Sequence, residues 1–151
     1  MALSEPQPKT AFERSVNIDL PIGDVWTLMT DWSLAPEWWP RVLDVEGPLP
    51  VGPGDMLTFS YQGTPASAIV DVADEPSRLV IRRVSGSVEA TFNYRLQAET
   101  DSTAVTLNAE LVARHALRAV APLLRRALAR TDRGQMDLLK HLSEGTARPP
   151  S

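Results

Sequence analysis

Residues 17–42 read NIDLPIGDVWTLMTDWSLAPEWWPRV. An alternating run ends at Leu20, Pro21 and Gly23-Asp24 interrupt it, and apolar residues then recur at helical spacing. Pro21 and Gly23-Asp24 mark a turn into a helix that Asp24 or Asp19 can cap, with Val25, Trp26, Leu28 and Met29 on its apolar face. Asp31 or Ser33 restarts a second short helix, Leu34 to Trp39, which Pro40 ends. All four tryptophans of the chain lie between Trp26 and Trp39, although the whole sequence has only nine aromatic residues. Such a segment is either a plug that closes a core or a wall over a site for something apolar. Trp38 and Trp39 are adjacent, and one regular helix cannot aim both inward. One of them is therefore expected at the surface or at a mouth, where an amphipathic indole is useful.

Working outward, Phe12 to Leu20 alternates as a strand, with Phe12, Arg14, Val16 and Ile18 sharing one side. Downstream the pattern is β from Val42 to Val112: VLDVEG, DMLTFSYQ, ASAIVDV, RLVIRRVS, SVEATFNYRL and TAVTLNAELV, separated by Gly-, Pro- and Asp-rich turns. Six strands with short connections predict an antiparallel meander. A two-residue turn centred on Ser85-Gly86 would oppose Val84 to Ser87, Arg82 to Glu89, Arg83 to Val88, Ile81 to Ala90 and Leu79 to Phe92. The alternation of Val88, Ala90, Phe92, Tyr94 and Leu96 marks the buried face, which carries Arg83 with it. Tyr61 and Tyr94 also point inward by strand parity.

Ala116 to Glu144 is the longest helical pattern, with Gly145 placed as a stop. Leu117, Val120, Leu124, Leu128, Leu138 and Leu142 form its apolar stripe, and Arg118, Arg125, Arg126, Arg130, Arg133 and Lys140 its polar side. Thr131 and Gln135 break the stripe, so each needs a buried partner or faces a ligand. The segments outside residues 11–144, namely 1–10 and 145–151, are polar or Pro-broken and expected to be flexible tails on a single domain.

A net charge of −4 argues against nucleic-acid binding, which needs a basic field. The absence of cysteine excludes disulfides and thiolate chemistry, and with two histidines a metal site or other cofactor is not expected. No apolar run approaches the roughly 20 residues of a membrane span, so stable membrane insertion is not expected either. MALSEPQPKT has no apolar core of a signal peptide, and the expected location is the cytoplasm.

Strand, two short helices, six strands and a long helix, together with NIDLPIGDVWTLMTDWSLAPEWWPRV, the VGPGD turn and LLRRALARTDRGQMDLLKHL, resemble the helix-grip superfamily known as SRPBCC. Its relatives include START lipid-transfer domains and polyketide cyclase/dehydrase proteins. The resemblance covers residues 11 to 144 and implies an α+β helix-grip fold. In that fold a curved antiparallel seven-stranded sheet, two short helices and a long C-terminal helix enclose a cavity. It assigns Trp26 to helix-to-sheet packing and makes the other tryptophans the wedge that closes the cavity.

The function expected is the binding of a small hydrophobic or amphipathic molecule between sheet and helix, as a carrier or sensor. Its wall candidates are Met29, Trp38, Trp39, Phe59, Tyr61, Phe92, Tyr94, Leu124, Leu128, Thr131 and Gln135. Two alternatives stand beside it. A cyclase or dehydratase acting on a polyketide-like substrate would need Tyr61, Arg83, Tyr94 or His115 to converge in an open cleft. A partner-binding regulator would show a collapsed cavity and an exposed apolar patch. Arg83 could pair with an acidic ligand, or with Glu37 or another carboxylate near the rim. Neither G-x-S-x-G nor H-E-x-x-H, nor a phosphate loop or G-x-G-x-x-G, occurs.

Overall fold

The computed structural model describes residues 7–147. Seven strands run β1 (Lys9–Ile18), β2 (Val42–Glu46), β3 (Met56–Tyr61), β4 (Thr64–Asp74), β5 (Arg78–Ser85), β6 (Val88–Ala98) and β7 (Thr103–Ala113). They form one antiparallel sheet in the order β1-β7-β6-β5-β4-β3-β2, so the meander from β2 to β7 is completed by the first strand pairing with the last. Register shifts at Thr10/Phe12, Leu43/Glu46 and Val70/Val72 bend the strands and curve the sheet. The concave face holds the inward alternation expected of β6 and β7: Ala90, Phe92, Tyr94, Leu96, Val105, Leu107, Ala109 and Leu111 are all buried. β1 and the last helix extend past the expected domain limits, to Lys9 and Ala147, and the rest of the expected tails, apart from Gln7 and Pro8, lies outside the described residues.

The hairpin turns at Gly86-Ser87 rather than at Ser85-Gly86, because Gly86 takes the left-handed backbone (φ 59°) required of the first loop residue. Ser85 then opposes Val88, Arg83 opposes Ala90 and Ile81 opposes Phe92. Each partner on β6 is displaced by two residues from the expected register, and a displacement of two keeps every side chain on its face. Arg83 is accordingly on the concave side. The Arg82–Glu89 pair also survives, as a diagonal contact of 3.0 Å, within an outer-face network that includes Asp71 and Arg114.

The tryptophan segment folds as α1 (Ile22–Thr30) followed by a 3-10 helix (Trp32–Glu37), not an α-helix from Leu34 to Trp39. α1 starts at Pro21 without the side-chain cap expected of Asp19 or Asp24. Asp31 caps the 3-10 turn by accepting from the Ser33 amide at 3.1 Å and the Ser33 hydroxyl at 2.6 Å. Trp38 and Trp39 come after this turn, in irregular backbone (Trp38 φ −131°, ψ −12°), so regular helix geometry does not separate them. Both are buried, 0% and 2% exposed, which corrects the expectation that one would reach the surface. Their rings meet edge-on at 5.4 Å, Trp32 lies 6.0 Å from Trp39, and Trp38 meets the Tyr94 ring at 5.6 Å. Here the four tryptophans are mainly the plug of the core.

Gly47 is part of that packing. A Cβ there would overlap Leu57 Cδ2 and sit 3.0 Å from Trp32 Nε1, and Leu57 is fully buried in the core. Gly47→Ala is expected to lower stability by about 1–3 kcal/mol, read as a lower urea midpoint at unchanged m-value. An unshifted midpoint would show that the Trp32 region repacks freely.

The C-terminal segment packs on the concave face and is subdivided. A 3-10 helix (His115–Val120) leads into α2 (Ala121–Asp132), and Arg133-Gly134 separate it from α3 (Gln135–Ala147). Gly145 lies within α3 and does not stop it. The 3-10 start is out of phase with a 100° wheel, so the stripe drawn through Leu117 and Val120 misplaces the buried face. Leu117, Val120 and Leu138 are exposed (Leu138 41%), while Met136 and Leu139 are fully buried in place of Leu138. Arg14 on β1 reaches Asp137 on α3 at 3.1 Å, and Lys140 holds the Asn17 carbonyl and Glu144. No helix among the described residues is long and apolar enough to cross a membrane.

Candidate functional site

Between α2 and the inner faces of β3, β4 and β5 lies a cleft of about 570 Å³. It is open to solvent on one side, where the closed cavity of the expected fold would be sealed. Its walls are largely apolar: Phe59, Tyr61, Ala66, Val84, Val88 and Ala90 from the sheet, and Leu124, Ala127 and Leu128 from α2. Thr131, Arg83 and Asp132 are the polar groups that matter at its inner end. Of the expected wall residues, Phe59, Tyr61, Leu124, Leu128 and Thr131 line the cleft. Met29, Trp38, Trp39, Phe92, Tyr94 and Gln135 are buried behind it, in the core that fixes its floor.

Among the described residues, Arg83 carries the only guanidinium on the cleft wall. Its Cζ lies 4.8 Å from the Phe92 ring centroid, 5.5 Å from Phe59, 5.8 Å from Tyr61 and 6.0 Å from Trp39. Four π faces therefore stabilise the cation without consuming its hydrogen-bond donors. Among the described residues it makes no ion pair, so the rim bridge to Glu37 is not formed.

Behind Arg83 a buried chain of hydrogen bonds links sheet to helix. The Tyr94 hydroxyl donates to Gln135 Oε1 at 2.6 Å, and Gln135 Nε2 donates to Asp132 Oδ1 at 3.0 Å. This answers what the two polar breaks in the stripe face: Gln135 is fully buried against Tyr94 and Asp132, and Thr131 faces the cleft. Burial pushes the Tyr94 hydroxyl far above the ordinary phenol range, against the opposing pull of the Arg83 charge. Burial likewise raises the Asp132 carboxyl, offset in part by the Arg83 charge and the Gln135 hydrogen bond. His115 does not join this group; it is exposed at the start of the 3-10 helix, in left-handed backbone (φ 57°).

Asp132 was not singled out in the sequence, although the signal was there. It lies four residues after Leu128 and three before Gln135, on the stripe itself, but Arg130 and Arg133 around it read as a wet face. Its raised affinity for a proton sets a sign. In the window from the ordinary aspartate value, about 4, up to its raised value, the folded protein binds more protons than the unfolded chain. Asp132 therefore withdraws stability as pH rises through that window. Asp132→Asn keeps the acceptor for Gln135 and is expected to gain stability over wild type as pH rises through the window, with no gain below it. Urea unfolding of both proteins from acid to neutral pH checks this; parallel curves would show that Asp132 titrates as in the unfolded chain.

The profile of a family described as polyketide cyclase/dehydrase and lipid transport matches residues 9–144. The chain belongs to that family. Solved structures share the helix-grip fold of this family member. The Zhui aromatase/cyclase from Streptomyces sp. R1128 superposes with a TM-score of 0.70 at 18% identity, over 94% of this chain and 97% of that one. A START superfamily protein from Mycobacterium smegmatis gives 0.67 at 12% identity, over 90% and 98%. The di-domain aromatase/cyclase StfQ of steffimycin biosynthesis gives 0.70 at 14% identity, over 90% of this chain and 51% of that one. The chain thus spans about half the length of the di-domain relative. At these identities the likeness establishes the fold, while the family description frames a ligand-binding or cyclase-type role. No curated protein sequence matches.

Proposed function

We propose that the cleft binds a small, largely apolar molecule carrying one electron-rich oxygen, a carbonyl, phenolate or carboxylate, which Arg83 receives at the inner end. The observation that carries this reading is a guanidinium without an ion pair among the described residues, held among four aromatic rings on a largely apolar wall. A cation so placed orients a ligand, and the walls supply the burial. In this reading Phe59, Tyr61, Leu124 and Leu128 are the contact surface, and Met29, Trp38, Trp39, Phe92, Tyr94 and Gln135 keep it rigid. The protein acts as a cytoplasmic carrier or sensor.

Anilinonaphthalene sulfonate, an aromatic anion, is a direct probe. Wild type is expected to bind it saturably with a rise in fluorescence, and Arg83→Met to bind roughly 10–100-fold more weakly, the worth of a hydrogen bond to a charged group. Equal affinity in the two proteins would remove Arg83 from the site.

A second reading is favoured by one observation. Asp132, with its raised proton affinity, lines the same open cleft as Arg83 and Tyr61, which supports a cyclase or dehydratase-type role on a polyketide-like substrate. Asp132 would move the proton while Arg83 holds the developing enolate oxygen. A simple diketone that closes to a cyclohexenone with loss of one water tests it. Turnover by wild type and none by Asp132→Asn supports catalysis, and no turnover by wild type leaves the binding role. The regulator reading needs a collapsed cavity together with an exposed apolar patch, and a cleft of this volume does not support the first of these.

A further inference from the structure

The arginine-rich side of the C-terminal segment has a partner chemistry of its own. Residues 114–133 hold six arginines against one acidic residue, the buried Asp132, in a chain whose net charge is −4. Arg114 is paired with Glu89, but Arg118, Arg126, Arg130 and Arg133 form no ion pair among the described residues. Beside them stand exposed apolar side chains. Leu123, Ala127 and Arg130 follow at four- and three-residue spacing and so share one edge of α2, with Leu123 61% exposed, and Val120, also exposed, immediately precedes the helix. Ala127 on that edge also lines the cleft, as do Leu117 and, on the β5–β6 hairpin, Val84, which is 51% exposed. The cleft mouth is therefore framed by exposed apolar groups on two separate elements, with Arg126 and Arg130 flanking the helix side.

We infer that this rim docks on an anionic lipid surface, with Leu123, Val120 and Val84 entering the headgroup boundary and the flanking arginines meeting lipid phosphates. Apolar tips with flanking guanidinium groups are the composition of an interfacial segment. A bilayer, apolar below and negatively charged at its surface, complements both kinds of group at once. It also covers the two sides of the mouth while leaving the opening in contact with an apolar phase, whereas a protein patch seated on the same rim would plug it. The ligand would then enter the cleft from the membrane, and that last step alone rests on the cleft being the ligand site.

Sedimentation with vesicles of phosphatidylcholine containing roughly one-third phosphatidylglycerol, against phosphatidylcholine alone, tests the docking. Wild type is expected to bind the anionic vesicles, to release them at raised salt and to ignore the neutral ones. Leu123→Glu and the double variant Arg126→Glu/Arg130→Glu, all at exposed positions outside the cleft wall, are each expected to bind about tenfold more weakly. Their binding of anilinonaphthalene sulfonate without vesicles should stay at the wild-type level, which shows an intact fold and cleft. Vesicle binding that both variants retain overturns the proposal. So does failure of wild type to bind either vesicle, an outcome that assigns the rim to a protein partner. Loss of probe binding in wild type with vesicle binding intact would instead count against the cleft and leave the docking standing.

Discussion

Trp38→Ala is expected to lower stability by about 3–5 kcal/mol, the range for removing a large buried aromatic side chain. This is a large share of the total stability of a domain, on the order of 5–15 kcal/mol. Trp38 is fully buried and touches Trp39 and Tyr94 edge-on, so its loss opens a void between the tryptophan plug and the sheet. Trp38→Phe should cost far less. The Trp38 indole N–H is buried without a hydrogen-bond partner among the described residues, and phenylalanine removes that unsatisfied donor along with part of the ring. Chemical unfolding of the two variants separates the terms. Equal losses would mean that the contacts of the second ring, rather than the cavity, hold the plug in place.

Gln135→Leu is expected to cost about 2–5 kcal/mol, because one substitution strands two buried groups. The Tyr94 hydroxyl loses its acceptor and Asp132 loses a donor, and both side chains are almost wholly inaccessible to water. The distinguishing outcome is coupling. Tyr94→Phe removes the hydroxyl that Gln135→Leu would strand, so the double variant should be less destabilised than the sum of the singles, by about 0.5–3 kcal/mol. Additive losses would show that the Tyr94–Gln135 bond does not act as a unit.

Much of the architecture was legible because β-strand parity is robust. Arg83, Tyr61 and Tyr94 point inward as their alternation requires, even though the hairpin turns one residue later than Ser85-Gly86 suggests. Helical phase is less forgiving. The wheel carried through His115–Val120 assumed α geometry where the chain is 3-10, and it chose Leu138 over the buried Leu139. The adjacent Trp38 and Trp39 were judged as if on one helix, whereas irregular backbone after Glu37 lets both turn inward. Asp132 was obscured by the charge pattern of its neighbours. Its raised proton affinity comes from burial in the fold, and the Arg83 charge that opposes it is distant in sequence. The aromatic ring around Arg83 draws on β3, β6 and the tryptophan segment, and no local pattern announces that meeting.

If the cleft between α2 and the concave sheet is a ligand site anchored by Arg83, a bound probe perturbs the residues of its walls. Backbone amide NMR shifts recorded during titration with anilinonaphthalene sulfonate test it most directly. Saturable perturbations are expected at Phe59, Tyr61, Arg83, Leu124 and Leu128, with the outer-face strand residues Asp71 and Arg82 less affected. Perturbations confined to surfaces away from these five residues, or none at saturating probe, would contradict it.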